Sequence, residues 1–215
     1  MTFPASDHFD GTHFFNPEAT RRPAKRGRVS FLRWITRREG RAEWPKHVEN
    51  KAYPPPPERI EPGTAALTFI GHSTFLIRLP GLTLLTDPIF SKRCSPVQWA
   101  GPKRVRAPGI ALADLPRPDA ILLSHNHYDH LDLNSLRGLR KRFGAIPIIT
   151  PLGNRSWLTA KGLGPVTELD WWQSHTLLDA EIIATPARHF AARTLRDRNE
   201  TLWCGYRIRH QGRQV

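Results

Sequence analysis

The chain has 215 residues, a formal net charge of +13 and 39% hydrophobic residues. That length supports a domain with a real core, and the composition is that of a folded protein rather than a disordered one. No apolar run approaches the eighteen or more residues of a membrane span, and two cysteines, Cys94 and Cys204, make no disulfide framework.

Residues 1–60 read as an N-terminal extension that is basic and Pro-rich. Residues 21–51 hold eleven Lys or Arg against three acids, a net of +8, and Tyr53-Pro54-Pro55-Pro56-Pro57 reads as a stiff connector. Phe31, Leu32, Trp34 and Ile35 share one face of a short predicted helix. That stripe suits either an interfacial membrane helix or, the preferred reading, a helix docked on the domain by its apolar face. Residues 188–215 carry a further +5, so the remainder of the chain is neutral. A basic flank on a neutral body is expected to meet anionic lipid headgroups or phosphate-bearing substrates, unless its charges merely solvate the surface.

From Ala65 the pattern predicts strands at 65–70, 74–79 and 82–86, with Pro80-Gly81 turning between the last two. The long connection 91–118, rich in Pro, Gly and basic residues, is expected to be functional. A buried strand at 120–124, a helix at 134–143 ended by Gly144 and a strand at 146–150 make a βαβ unit. A short helix at 156–162 and strands at 181–185 and 202–208 complete the expected elements. The domain is drawn at 61–215.

The most informative stretch follows the apolar run Ala120-Ile121-Leu122-Leu123. In Ser124-His125-Asn126-His127-Tyr128-Asp129-His130, the last six residues hold four potential metal ligands. In extended chain His125, His127 and Asp129 share a face, and His130 breaks the parity, so the backbone must turn there. Neutral imidazole and carboxylate at such spacing are what zinc and similar ions select. The alternative is an exposed His-rich loop.

His-x-His-x-Asp-His after a hydrophobic strand resembles the signature of the metallo-β-lactamase superfamily. Longer strings sharpen the resemblance: Phe69-Ile70-Gly71-His72-Ser73-Thr74, Leu85-Thr86-Asp87-Pro88-Ile89-Phe90, Gly101-Pro102-Lys103-Arg104, Leu169-Asp170-Trp171-Trp172 and Thr185-Pro186-Ala187-Arg188-His189. With Phe9-Asp10-Gly11-Thr12-His13-Phe14-Phe15-Asn16-Pro17, they are similar to the branch of N-acyl-phosphatidylethanolamine-hydrolysing phospholipases D. The resemblance implies an α/β fold, an αββα sandwich whose second half is incomplete by residue 215.

It further implies a zinc-dependent phosphodiesterase that splits N-acyl-phosphatidylethanolamine-like lipids into N-acylethanolamine and phosphatidic acid. His125, His127 and His189 would hold one ion. Asp129 and His130 would take part in a second site, with a bridging Asp and a distal His that the resemblance places beyond residue 215. One or two zinc ions are thus expected, the second short of ligands within this chain. Asp129 would also carry a proton during catalysis, Asp87 would orient the ligand loop by hydrogen bonding, and His72 would sit beside the site. Trp99, Trp171 and Trp172 are candidates for an acyl-chain groove, or for simple packing. The alternatives are a lactonase or other small-substrate metallo-hydrolase on the same fold, or an inactive family member. Nucleic acid is not expected as a partner. A cytoplasmic setting with peripheral membrane contact through residues 21–51 is expected, and the oligomeric state is left open.

Overall fold

The computed structural model describes residues 3–17, 43, 45–51 and 55–215. The stripe of Phe31, Leu32, Trp34 and Ile35 therefore lies outside the described residues, as does most of the basic segment 21–51.

Ten strands and two α-helices are formed among the described residues. Strands β1 (Ala66–Gly71), β2 (Thr74–Leu79) and β3 (Leu82–Thr86) form the expected antiparallel meander. Gly81 takes φ of 73° in the tight β2–β3 turn, a conformation that costs glycine nothing. The chain then leaves the sheet for the long 87–119 connection and returns as β4 (Ala120–Leu122). Helix α1 (Leu133–Phe143) carries it over to β5 (Ile148–Pro151), which lies parallel to β4, as β4 does to β3. Helix α2 (Arg155–Ala160) leads to β6 (Val166–Leu169), parallel to β5, and the first sheet has the order β1-β2-β3-β4-β5-β6. A second, antiparallel sheet of order β10-β9-β8-β7 is made by β7 (Ser174–Leu177), β8 (Ala180–Thr185), β9 (Gly205–His210) and β10 (Arg213–Gln214).

The burial pattern explains why β4 reads as an unbroken apolar run. Ala120 and Leu122 point into a core shared with Leu84, Ile149, Ile182 and Ile208 of the two sheets. Ile121 and Leu123 point the other way, toward Leu136, Leu139 and Leu158 of the helices. A strand covered on both faces has no side left for polar residues. Helix α1 starts where Asp132 accepts from the Asn134 backbone N–H, and ends where Gly144, at φ of 78°, donates its N–H to the Arg140 carbonyl. These caps fix the helix directly after the ligand-rich turn.

Residues 3–17 do not stand apart from the domain. Phe9 and Phe14 are buried in the inter-sheet core with ring centroids 4.5 Å apart, and each such side chain contributes about 1.5–3 kcal/mol by leaving water. His8 stacks on Trp171 at 4.3 Å and its Nε2 lies 2.7 Å from an Asp170 carboxylate oxygen. Three strands escape the sequence pattern: β6, β7 and β10. Val166-Thr167-Glu168-Leu169 and Ser174-His175-Thr176-Leu177 are too polar to announce themselves, and their strand character comes from ladders with β5 and β8. Leu202–Cys204, expected as strand, is instead an extended crossing between sheets: Leu202 N–H donates to the Leu152 carbonyl and Cys204 N–H to that of Ser124.

Candidate metal centre

The site lies where parallel strands β3 and β4 end side by side. Asp87 closes β3 with φ of 36°, and its backbone N–H donates to the Leu122 carbonyl at 2.9 Å. The Asp87 carboxylate is buried and fully engaged. It accepts from the Ser124 N–H at 2.7 Å and from the Ser124 hydroxyl at 2.7 Å, and it faces His130 Nδ1 at 2.8 Å. Asp87 thus ties the start of the ligand run, at Ser124, to its end, at His130.

These bonds also assign protons to the rings by elimination. Ser124 gives its hydroxyl proton to Asp87, so its oxygen accepts from His125 Nδ1 at 2.8 Å, leaving His125 Nε2 bare. Likewise His130 donates from Nδ1 to Asp87, which can only accept, and its Nε2 looks toward Asp129 at 3.7 Å. The chain turns at 127–131, with the N–H groups of His130 and Leu131 both donating to the His127 carbonyl. That turn is the parity break that the sequence demands.

His125 Nε2 lies 2.9 Å from His127 Nδ1 and 3.0 Å from His189 Nε2, and the last two are 3.3 Å apart. Burial first, and then neighbouring imidazoles, push the His125 ring down to about 2, so it is neutral at any physiological pH. Burial likewise lowers His127 and His189. Three ring nitrogens converge, at least one of them without a proton, and a cation between them answers all three. The donor set fits an ion of the zinc type.

The second cluster differs. His72 Nε2 lies 2.9 Å from Asp129 Oδ2, and His72, Asp129 and His130 offer three donor atoms within 4.8 Å of one another. His72 was expected only beside the site; the turn between β1 and β2, with His72 itself at φ of 53°, brings its ring in among the donors. For His130, burial acts to lower the pKa, but the hydrogen bond and charge of Asp87, joined by Asp129, outweigh it and raise the value.

Several contributors lie outside the residues that the sequence singles out as a site. Asn16, from the N-terminal segment, brackets the His189 backbone: its Nδ2 donates to the His189 carbonyl at 2.8 Å and its Oδ1 accepts the His189 N–H at 3.2 Å. Arg193 donates to two carbonyls of the ligand turn. Ser124 precedes the motif by one residue, and a hydroxyl there is its one visible clue.

A cavity of about 910 Å³ opens beside the second cluster, with His72 and Asp129 in its wall. Leu67, Phe69 and Ile110 give it apolar surface, and Lys92, Lys103 and Arg106 bring positive charge. The 91–110 part of the long connection supplies much of this lining. Arg104 folds the connection, donating to the carbonyls of Ser91 and Ile89. The three tryptophans do not form this wall. Trp171 is a core residue whose indole N–H donates to the Trp203 carbonyl, and Trp99 and Trp172 project into solvent at 82% and 69% exposure.

Residues 83–215 match the family described as the beta-lactamase superfamily domain. An uncharacterized protein of Mycobacterium tuberculosis is 42% identical over 143 residues, covering 66% of this chain and 38% of that protein. N-acyl-phosphatidylethanolamine-hydrolyzing phospholipase D 1 of Caenorhabditis elegans is 36% identical over 156 residues, covering 68% of this chain and 44% of the relative. The chain thus spans less than half the length of these relatives. Among solved structures, CmlA, a diiron beta-hydroxylase from Streptomyces venezuelae, superposes with a TM-score of 0.51 at 26% identity, covering 72% of this chain and 29% of CmlA. Two packed sheets, a strand-end cluster of three imidazoles and a family match over more than half the sequence agree, and the chain belongs to the β-lactamase superfamily.

Proposed function

We propose that residues 61–215 form the metal-binding core of a hydrolase, a phosphodiesterase of the phospholipase D type acting on N-acyl-phosphatidylethanolamine-like lipids. The observation that carries this reading is the cavity beside His72 and Asp129. It joins apolar walls to basic side chains, Lys92, Lys103 and Arg106 among them, which is the complement of a phosphodiester bearing aliphatic chains. The 36% identity to the nematode phospholipase D supports the same substrate class.

His125, His127 and His189 would hold one ion, and Asp129 and His130, with His72, a second; zinc suits the imidazole-rich first set. Divalent ions there would supply Lewis acidity, making a water acidic near neutral pH and offsetting charge on phosphoryl oxygens. The chain's own groups do the rest. Lys92, Lys103 and Arg106 draw the phosphodiester in and Leu67, Phe69 and Ile110 shelter its aliphatic part. Asp87 keeps His130 and, through Ser124, His125 in the tautomers that leave Nε2 free. Asp129 receives the proton as water oxygen bonds to phosphorus. The phosphorus–oxygen bond to the ethanolamine side breaks, and the leaving oxygen takes a proton to give N-acylethanolamine beside phosphatidic acid.

No helix among the described residues is long and apolar enough to cross a membrane. We place the protein in the cytoplasm, peripheral to an anionic surface that residues 21–51 meet through their net charge of +8. The test is turnover of N-acyl-phosphatidylethanolamine in mixed micelles by the zinc-loaded chain, against a lactone and a short soluble phosphodiester. Chelator-sensitive release of N-acylethanolamine, reduced when Lys92 and Arg106 are both replaced by Ala, is expected. Turnover of the lactone alone would overturn the substrate assignment.

A further inference from the structure

The first donor cluster is assembled from two chain segments that no sheet ladder connects. His125 and His127 belong to the turn after β4, whereas His189 sits in the irregular excursion 186–204 between β8 and β9. Three ring nitrogens within 3.3 Å demand that these segments keep a fixed spacing. Something must span the gap.

Arg193 spans it. Its Nη1 donates to the Asn126 carbonyl at 2.7 Å and to the Leu131 carbonyl at 2.8 Å. Asn126 lies between His125 and His127, and Leu131 follows His130, so one guanidinium grips the ligand turn at both ends. The same group packs over the rings of Tyr128 at 4.1 Å and Trp157 at 4.7 Å. Its backbone is held in turn, since the Asp197 carboxylate accepts the N–H groups of Arg193 and Thr194. The Asn199 N–H closes the excursion on the Ala191 carbonyl at 2.7 Å. A planar, flat-faced cation can stack on rings while donating in its plane, which an ammonium cannot do.

We propose that Arg193 is a positioning residue: it sets the spacing of His189 against the His125–His127 pair, and with it the geometry and affinity of the first metal site. The proposal rests on that cluster holding a metal and on no particular substrate. Groups of this kind behind a ligand commonly govern metal affinity by 10–100-fold.

The experiment uses the full chain stripped of metal and titrated with Co(II), whose visible absorption reports coordination geometry. Arg193→Lys and Arg193→Met are compared with the parent and with Arg196→Ala, a charge control at an exposed neighbour. Thermal unfolding of the metal-free proteins is measured alongside. We expect metal-free midpoints near the parent's, a loss of about 10–100-fold in affinity for the first equivalent of Co(II), and weaker absorption in both Arg193 variants. Arg196→Ala should match the parent. Parental affinity and spectrum in a folded Arg193→Met would overturn the proposal. So would loss of cooperative unfolding in both metal-free variants, which would make Arg193 a folding determinant instead. Failure of the parent itself to bind Co(II) at the cluster would refute the metal reading on which the proposal rests.

Discussion

The two donor clusters lie side by side and are built on opposite principles. His125, His127 and His189 bring three imidazoles, sheltered enough that burial depresses every ring's pKa. His72, Asp129 and His130 mix a carboxylate with two imidazoles, one of which, His72, has half its side-chain surface in water. The first cluster suits a cation by geometry, with three ring nitrogens crowded within 3.3 Å under cover. The second attracts it by charge, in a place where solvent competes. Charge near water is screened and lone pairs under cover are not. We therefore expect one ion held through dialysis and a second that exchanges.

The largest effect should come from His127→Ala. It removes one of three donors at the sheltered cluster, and metal analysis after dialysis should show the tightly held ion gone. Retention of that ion would shift the tight site to the second cluster and reverse the comparison. Asp87→Ala comes next, with a loss of about 10–100-fold in affinity. Asp87 orients His130 directly and His125 through Ser124, so both equivalents should weaken, whereas an effect confined to one would show that the clusters are supported separately. His72→Ala should weaken only the exchanging ion, by a smaller factor, and competition with a chromophoric chelator would resolve the two equivalents.

The smallest effect concerns the excursion that carries His189. Burial would raise the Asp197 pKa, but the backbone N–H groups of Thr194 and Arg193 outweigh it and hold the carboxyl below its usual 3.8. A depressed value means that its stabilisation is present above 3.8 and is lost as pH falls through the lower folded value. Asp197→Asn should thus destabilise the chain slightly at neutral pH, by a few tenths of a kcal/mol once solvent screening is counted, with the gap from the parent closing in acid below 3.8. Thermal midpoints followed from pH 7 to pH 3 measure this, and a gap that widens in acid would contradict it.

Much of the first sheet is legible because local and long-range demands coincide there. Thr74–Leu79 and Leu82–Thr86 alternate or run apolar as their burial requires, and Gly81 and Gly144 stand where positive φ is needed. The ligand run is legible for the same reason, since a turn after a buried strand leaves side chains at defined parity. Val166–Leu169 and Ser174–Leu177 are illegible because their partners, not their side chains, make them strands. Phe9 and Phe14 look like part of a detached extension until the gap between the sheets shows what they fill.

From residues alone follow the meander, the βαβ unit and the nature of the chemistry, because period-two and 3.6-residue patterns and clustered imidazoles are local properties of a chain. Only the folded chain decides that His72 reaches Asp129 across 57 positions, that Asn16 and Arg193 brace His189 and the ligand turn, and that Leu67 and Phe69, not the tryptophans, line the cavity beside the site. Those pairings depend on how loops of arbitrary length return to one sheet edge. Loop closure costs little more for a long loop than for a short one, so sequence distance sets no limit on which side chains meet there.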